Sequence, residues 1–233
     1  MNGDYGHLTC VMHMEGVKPD EREFSAEARK FAKFHRVPDA NMFAVFGAQS
    51  TESRLAATYS ALKKIKGCSR FVFFGHGWKS GFQLGWNLNN VWQLVEEFEK
   101  KAKDDPLAIV LYSCSTAEGA SDPGDLVGTQ GGIADKIRDC MVSRGITGYV
   151  AAHRTAGHTT RNPYLVRISS EPDKCPQSAT EWYMDPKSTL WKTWTSRLSR
   201  TVFRYQAPFL TNYEINGFMT KDDFDFRKIF ERE

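Results

Sequence analysis

Short apolar runs alternating with amphipathic stretches constrain the fold of this chain more than anything else in it. Residues 7–13, 42–46, 71–74, 107–112 and 146–152 each form a compact apolar or β-branched run, and 163–168 reads as a sixth. Between them the apolar spacing changes to that of a helix. Ser25 is placed to cap a helix that ends before Pro38, and Ser50 or Thr51 to open one carrying Leu55, Tyr59, Leu62 and Ile65, closed by Gly67. A third helix starts at Asn89 or Asn90, with Val91, Leu94, Val95 and Phe98 on one face. A fourth follows Gly131-Gly132, with Ile133, Ile137 and Met141, and stops at Gly145. The order is β-α-β-α-β-α-β-α-β. Nearly continuous apolar strands joined by helices predict an α/β fold with a mostly parallel central sheet covered on both faces, an α/β/α sandwich.

In such sheets chemistry gathers just beyond the carboxyl ends of the strands. The third run, Phe71-Val72-Phe73-Phe74, ends in Gly75-His76-Gly77. The fourth ends in Tyr112-Ser113-Cys114-Ser115-Thr116. Consecutive strands of a parallel sheet are often neighbours, so His76 and Cys114 are expected side by side on one edge. A thiol acts as a nucleophile in its thiolate form, which a nearby imidazole promotes. The backbone N–H groups of Gly77 and Cys114 are candidates for an oxyanion hole, Gly77 being read as bare so that a substrate carbonyl can approach.

The blocks "FVFFGHG" and "AIVLYSCSTAEG" resemble the His-Gly and Cys blocks of the caspase-like cysteine peptidases of clan CD, the CHAT type being nearest in form. The loop, helix and strand in "GTQGGIADKIRDCMVSRGITGYVAA" follow the same order. The resemblance covers roughly residues 5–168. It implies a caspase-like three-layer sandwich over 1–170 that hydrolyses peptide bonds through an acyl-enzyme on Cys114. His76 is then the acid/base, the amides of Gly77 and Cys114 form the oxyanion hole, and neither metal nor cofactor takes part. Protein or peptide is the implied substrate, and a regulatory protein is an expected partner. Metacaspases carry Asp where Tyr112 stands, and the caspase pentapeptide is absent, so neither basic nor Asp specificity carries over. The region after the fifth strand, "HRTAGHTTRN", usually contributes to the specificity pocket, which makes Arg154 and Arg161 candidates for an acidic substrate side chain.

The same residues admit other readings. The fold can be kept as a catalytically silent binding or assembly module. Cys114 can instead pair with His153 or His158, or join them in a metal site, although no acidic ligands to complete one are evident. Residues 171–233 have no counterpart in the family. They read as a connector followed by helices over 189–204 and 221–233, a C-terminal extension packed on the core.

Composition narrows the partners. The net charge of the 233 residues is +3, with no concentrated basic patch of the kind phosphate backbones select, so nucleic acid is not expected. No apolar run approaches the roughly 18–20 residues that span a bilayer, and the first residues lack the pattern of a secretory signal. The five cysteines, Cys10, Cys68, Cys114, Cys140 and Cys175, are odd in number, scattered and without a CxxC. No disulfide framework is expected, and Cys10, Cys68 and Cys140 read as packing or incidental thiols, which points to a reducing, cytoplasmic compartment.

Overall fold

A computed structural model describes residues 6–15, 23–46, 50–101, 106–119, 131–153 and 165–171. The strands are β1 (Thr9–Glu15), β2 (Met42–Phe46), β3 (Arg70–Phe74), β4 (Gly77–Trp78), β5 (Gly81–Phe82), β6 (Trp86–Asn87), β7 (Leu107–Tyr112), β8 (Gly148–Ala152) and β9 (Val166–Ser169). The helices are α1 (Glu23–His35), α2 (Thr51–Lys64), α3 (Val91–Glu99) and α4 (Ile133–Ser143). Six strands form one sheet in the order β2-β1-β3-β7-β8-β9. All neighbours are parallel except β8 and β9. The fold is therefore α/β with a mostly parallel sheet, as the alternation predicts.

Side-chain parity assigns the layers. Phe74 and Tyr112 are directly opposite in the β3–β7 register, and both meet Phe31 of α1, at 5.7 and 5.8 Å between ring centroids. Phe71 and Phe73, which point to the other face, meet Phe98 of α3 at 4.4 and 6.1 Å. Helix α4 packs on α3 and β8. Right-handed crossovers require this split. The step from β1 to β2 runs one way along the sheet and the steps through β3, β7 and β8 run the other, so α1 covers one face and α3 and α4 the opposite one. Every residue of β7 is buried, as befits a strand covered on both sides.

The local signals hold for three helices and shift for one. The Ser50 hydroxyl caps α2 by accepting the Ser53 N–H at 3.2 Å. Asn90 and Gly132 precede α3 and α4. Helix α1 begins at Glu23, so Ser25 lies inside its first turn rather than capping it. The extra residues are helical where Phe24 buries its ring against His76.

Two further features depart from the sequence reading. Residues 77–87 form a three-stranded meander, β4-β5-β6, that the sequence analysis leaves unassigned. Cys10 and Cys68 are joined in a disulfide, with Cα atoms 6.0 Å apart, where the sequence reading treats them as separate packing thiols. The pairing of β1 with β3 sets Cys10 opposite Phe71, and Ser69 N–H donates to Leu8 O at 3.0 Å. Cys68 is thereby carried to Cys10 across a separation of 58 residues. Because the case for a reducing compartment rested on unpaired cysteines, it loses that basis. No helix among the described residues is long and apolar enough to cross a membrane. The expected helices after residue 171 lie outside the described residues.

Candidate active site

The carboxyl ends of β3 and β7 are adjacent. Phe74 faces Tyr112 across the ladder, their rings stack at 4.7 Å, and Gly75 N–H donates to Tyr112 O at 3.4 Å. His76 and Cys114 each follow two residues later. His76 is exposed, and Phe24 meets its ring edge-on at 4.9 Å. Both of its backbone polar groups go to one residue: His76 N–H donates to Gln83 Oε1 at 3.1 Å, and His76 O accepts Gln83 N–H at 2.8 Å.

Gly77 begins β4 and lies directly against the turn that carries Cys114. A Cβ placed on Gly77 would come within 2.6 Å of Ser113 Cβ, 2.7 Å of Thr116 Cγ2 and 2.8 Å of Cys114 O. The sequence reading takes this glycine as bare in order to admit a substrate. The structure corrects that motive: the missing Cβ lets two strand ends touch. The amide itself has a different direction. Antiparallel ladders alternate bonded and non-bonded pairs. The bond from Gln83 N–H to His76 O makes Gly77 and Phe82 the non-bonded pair, which turns the Gly77 N–H away from β5.

Cys114 is a half-buried thiol at the start of a tight turn. Ser115 adopts a left-handed backbone, φ 54°, which costs an L-residue roughly 1–2 kcal/mol. The turn is held by three bonds that offset this: Thr116 Oγ1 donates to Ser113 O at 2.9 Å, Glu118 N–H to Ser115 O at 3.0 Å, and Ala117 N–H to His153 O at 2.8 Å. Helix α4 locks both halves of the site. Its first-turn amides, which have no intrahelical acceptor, donate to Lys79 O (from Ile133, 2.9 Å) and to Thr116 O (from Ala134, 3.0 Å). Asp135 Oδ2 accepts the Gly131 N–H at 2.9 Å in front of the helix.

The other candidates divide clearly. His153 is fully buried behind Tyr112, with ring centroids 5.8 Å apart, and its carbonyl anchors the Cys114 turn. Arg154, Arg161 and His158 lie outside the described residues, so the acidic-substrate assignment and the pairing of Cys114 with His158 rest on sequence alone. Among the described residues no group of three or more His, Cys, Asp or Glu side chains could hold a metal ion. Of the other cysteines, Cys140 sits half-buried on α4, where burial pushes its thiol above the ordinary range.

Sequence reasoning missed Gln83 and Ser115. A glutamine four residues before an asparagine-rich turn carries no motif. A left-handed serine leaves no mark beyond the small, polar character of Ser113-Cys114-Ser115-Thr116. No protein family, curated protein or solved structure matches the chain.

Proposed function

We propose that this chain is a caspase-like cysteine peptidase acting through Cys114 and His76. The observation that supports this reading best is the seating of Gly77 on the Cys114 carbonyl, which draws the ends of β3 and β7 together. In the proposed cycle His76 accepts the thiol proton and the Cys114 sulfur attacks the peptide carbonyl. The amides of Gly77 and Cys114 receive the negative charge on oxygen, and preorganised donors of this kind are usually the largest single contribution to rate. His76 returns the proton to the departing amine, and water then releases the acyl group from sulfur. The substrate is a protein or peptide, and the fold is the caspase-like sandwich over residues 1–170 with the remainder as an appended extension. Burial favours His76 over His153 as the acid/base, because a group that exchanges protons with substrate must come within about 2.6–3.2 Å of it or act through one water.

The test is a digest of a degenerate peptide library followed by mass spectrometry, run on wild type, Cys114→Ala, His76→Ala and His153→Ala. Loss of at least about a thousandfold is expected in the first two, with cooperative melting retained. His153→Ala, which empties a buried position, is expected to lose stability rather than chemistry. Turnover surviving in Cys114→Ala, or in His76→Ala alone, sinks the dyad. A wild-type protein that cleaves nothing in the library and shows no preferential alkylation of Cys114 over Cys140 favours the silent module instead.

A further inference from the structure

The polar groups of His76 lead outward to a part of the molecule that neither strand motif announces. His76 N–H and O are both held by Gln83, the first by its side chain and the second by its backbone. Gln83 is itself fixed from α2: its carbonyl accepts Arg54 Nε–H at 2.9 Å, and the guanidinium is steadied by Thr51 Oγ1 at 3.2 Å. The next residue is held from the same helix, where the Thr58 hydroxyl shares its proton between Arg54 O at 2.9 Å and Leu84 O at 3.1 Å. Gly85 (φ 102°) lies so close to α2 that a Cβ there would stand 2.8–2.9 Å from Leu55. Three successive residues, 83 to 85, are thus pinned to one face of α2, and the first of them grips the backbone of His76.

We infer that Gln83, braced by Arg54, is a positioning residue that fixes the backbone of His76 so that the imidazole is presented to the Cys114 side in a single orientation. The inference rests on the peptidase reading only for its kinetic consequence. Gly75 and Gly77 are held through their backbones and bring no side chains of their own to His76, so the hydrogen bond to its N–H comes from Gln83. The Gln83 amide replaces the ladder bond that the backbone of residue 83 would ordinarily offer, because that carbonyl is already taken by Arg54. The acceptor needed at Oε1 is one that Glu can also supply and Leu cannot. Loss of the acceptor leaves a small displacement at the general base, and displacements near 1 Å cost on the order of a hundredfold in turnover.

The experiment compares Gln83→Leu, Gln83→Glu and Arg54→Met in the full chain, with two independent readouts. The first is amide hydrogen exchange, which needs no substrate. The His76 amide is expected to exchange about tenfold or more faster in Gln83→Leu, near wild type in Gln83→Glu, and in between in Arg54→Met, while the Phe73 amide on β3 stays protected in all three. The second is turnover of any peptide the wild type cleaves. In Gln83→Leu kcat should fall about 10–100-fold with KM nearly unchanged. Gln83→Glu should recover most of kcat, since its carboxylate keeps an acceptor for the His76 N–H. Equal impairment of the Leu and Glu variants, or unchanged His76 exchange in Gln83→Leu, overturns the positioning role. Absence of wild-type turnover removes the peptidase reading but leaves the exchange test standing. If Gln83→Leu does not fold, the exchange and kinetics of Arg54→Met decide alone: wild-type values there overturn the brace.

Discussion

The two edges of the central sheet are built on opposite principles. At the amino ends of the strands the connections over 36–41, 65–69 and 144–147 are short and turn the chain directly from helix to strand. There β1 and β3 are joined covalently by Cys10–Cys68, with both cysteines buried. At the carboxyl ends the connections over 75–90 and 113–132 are long. They carry an exposed imidazole, a half-buried thiol, a left-handed serine and a second small sheet. One edge concentrates restraint and the other concentrates reactive groups. The difference shows where a fold of this kind tolerates local strain, because Ser115 sits on an edge whose opposite side is cross-linked.

Removing the cross-link is the largest way to test that division. A Cys10→Ala/Cys68→Ala double variant reopens a long loop in the unfolded state and should lose about 2–4 kcal/mol in chemical denaturation. Alkylation of Cys114 at 25 °C should stay as fast as in wild type. Slowed labelling of Cys114 would mean that the restraint reaches across the sheet and that the edges are not independent. Intact-mass analysis before and after alkylation without reductant checks the premise, since Cys10 and Cys68 should take up no label.

Gly77→Val sharpens the comparison from the reactive edge. Valine would collide with Ser113, Thr116 and the Cys114 carbonyl, so a loss of about 1–3 kcal/mol is expected from overpacking, together with loss of turnover. That pairing distinguishes it from Cys114→Ala, which should lose chemistry alone. A Gly77→Val protein with wild-type melting would show that the two strand ends are not in contact as described.

The smallest expected effect is a pH dependence from His13. This histidine lies on β1 with its ring buried, and burial is the largest cause that lowers its pKa below 6.5, helped by Arg29 and opposed by the Met14 carbonyl and Glu15. The unfolded chain takes up a proton near pH 6.5 that the folded chain resists. The unfolded state therefore binds more protons as the pH falls, and stability should be full above about pH 6.5 and decline below it. Melting between pH 7.5 and 5 should show a shallower decline in His13→Gln than in wild type. Identical slopes would place the acid sensitivity elsewhere.

Much of the architecture was legible because it is written in local periods. Apolar runs of strand length, the Ser50 cap and the glycines bounding α2 and α4 are properties of neighbouring residues, and they located the six strands of the main sheet and four helices. The juxtaposition of β3 and β7 followed from the tendency of consecutive strands in a parallel sheet to be neighbours. What escaped has no local signature. Strands of two residues, such as β4, are too short to show alternation. The Cys10–Cys68 bond depends on register between strands. Ser25 has the residue type of a cap, yet α1 begins at Glu23 and includes Phe24, whose ring meets His76. At the strand ends, residue type singled out His76 and Cys114 as candidates, whereas the packing around Gly77 had no sequence mark, since a missing Cβ reads the same whether the space belongs to a ligand or to a neighbouring turn.

The first turn of α4 has a consequence for how the molecule comes apart. Ile133 reports on the hairpin that carries His76, through Lys79, and Ala134 reports on the Cys114 turn, through Thr116. Two consecutive amides thus act as adjacent gauges on the two halves of one site. If the halves open together, the two protons share one protection factor once their intrinsic rates are allowed for. If either loosens first, the protection factors separate and name the half that yielded, so a single pair of resonances can report which half leads without any substrate in hand.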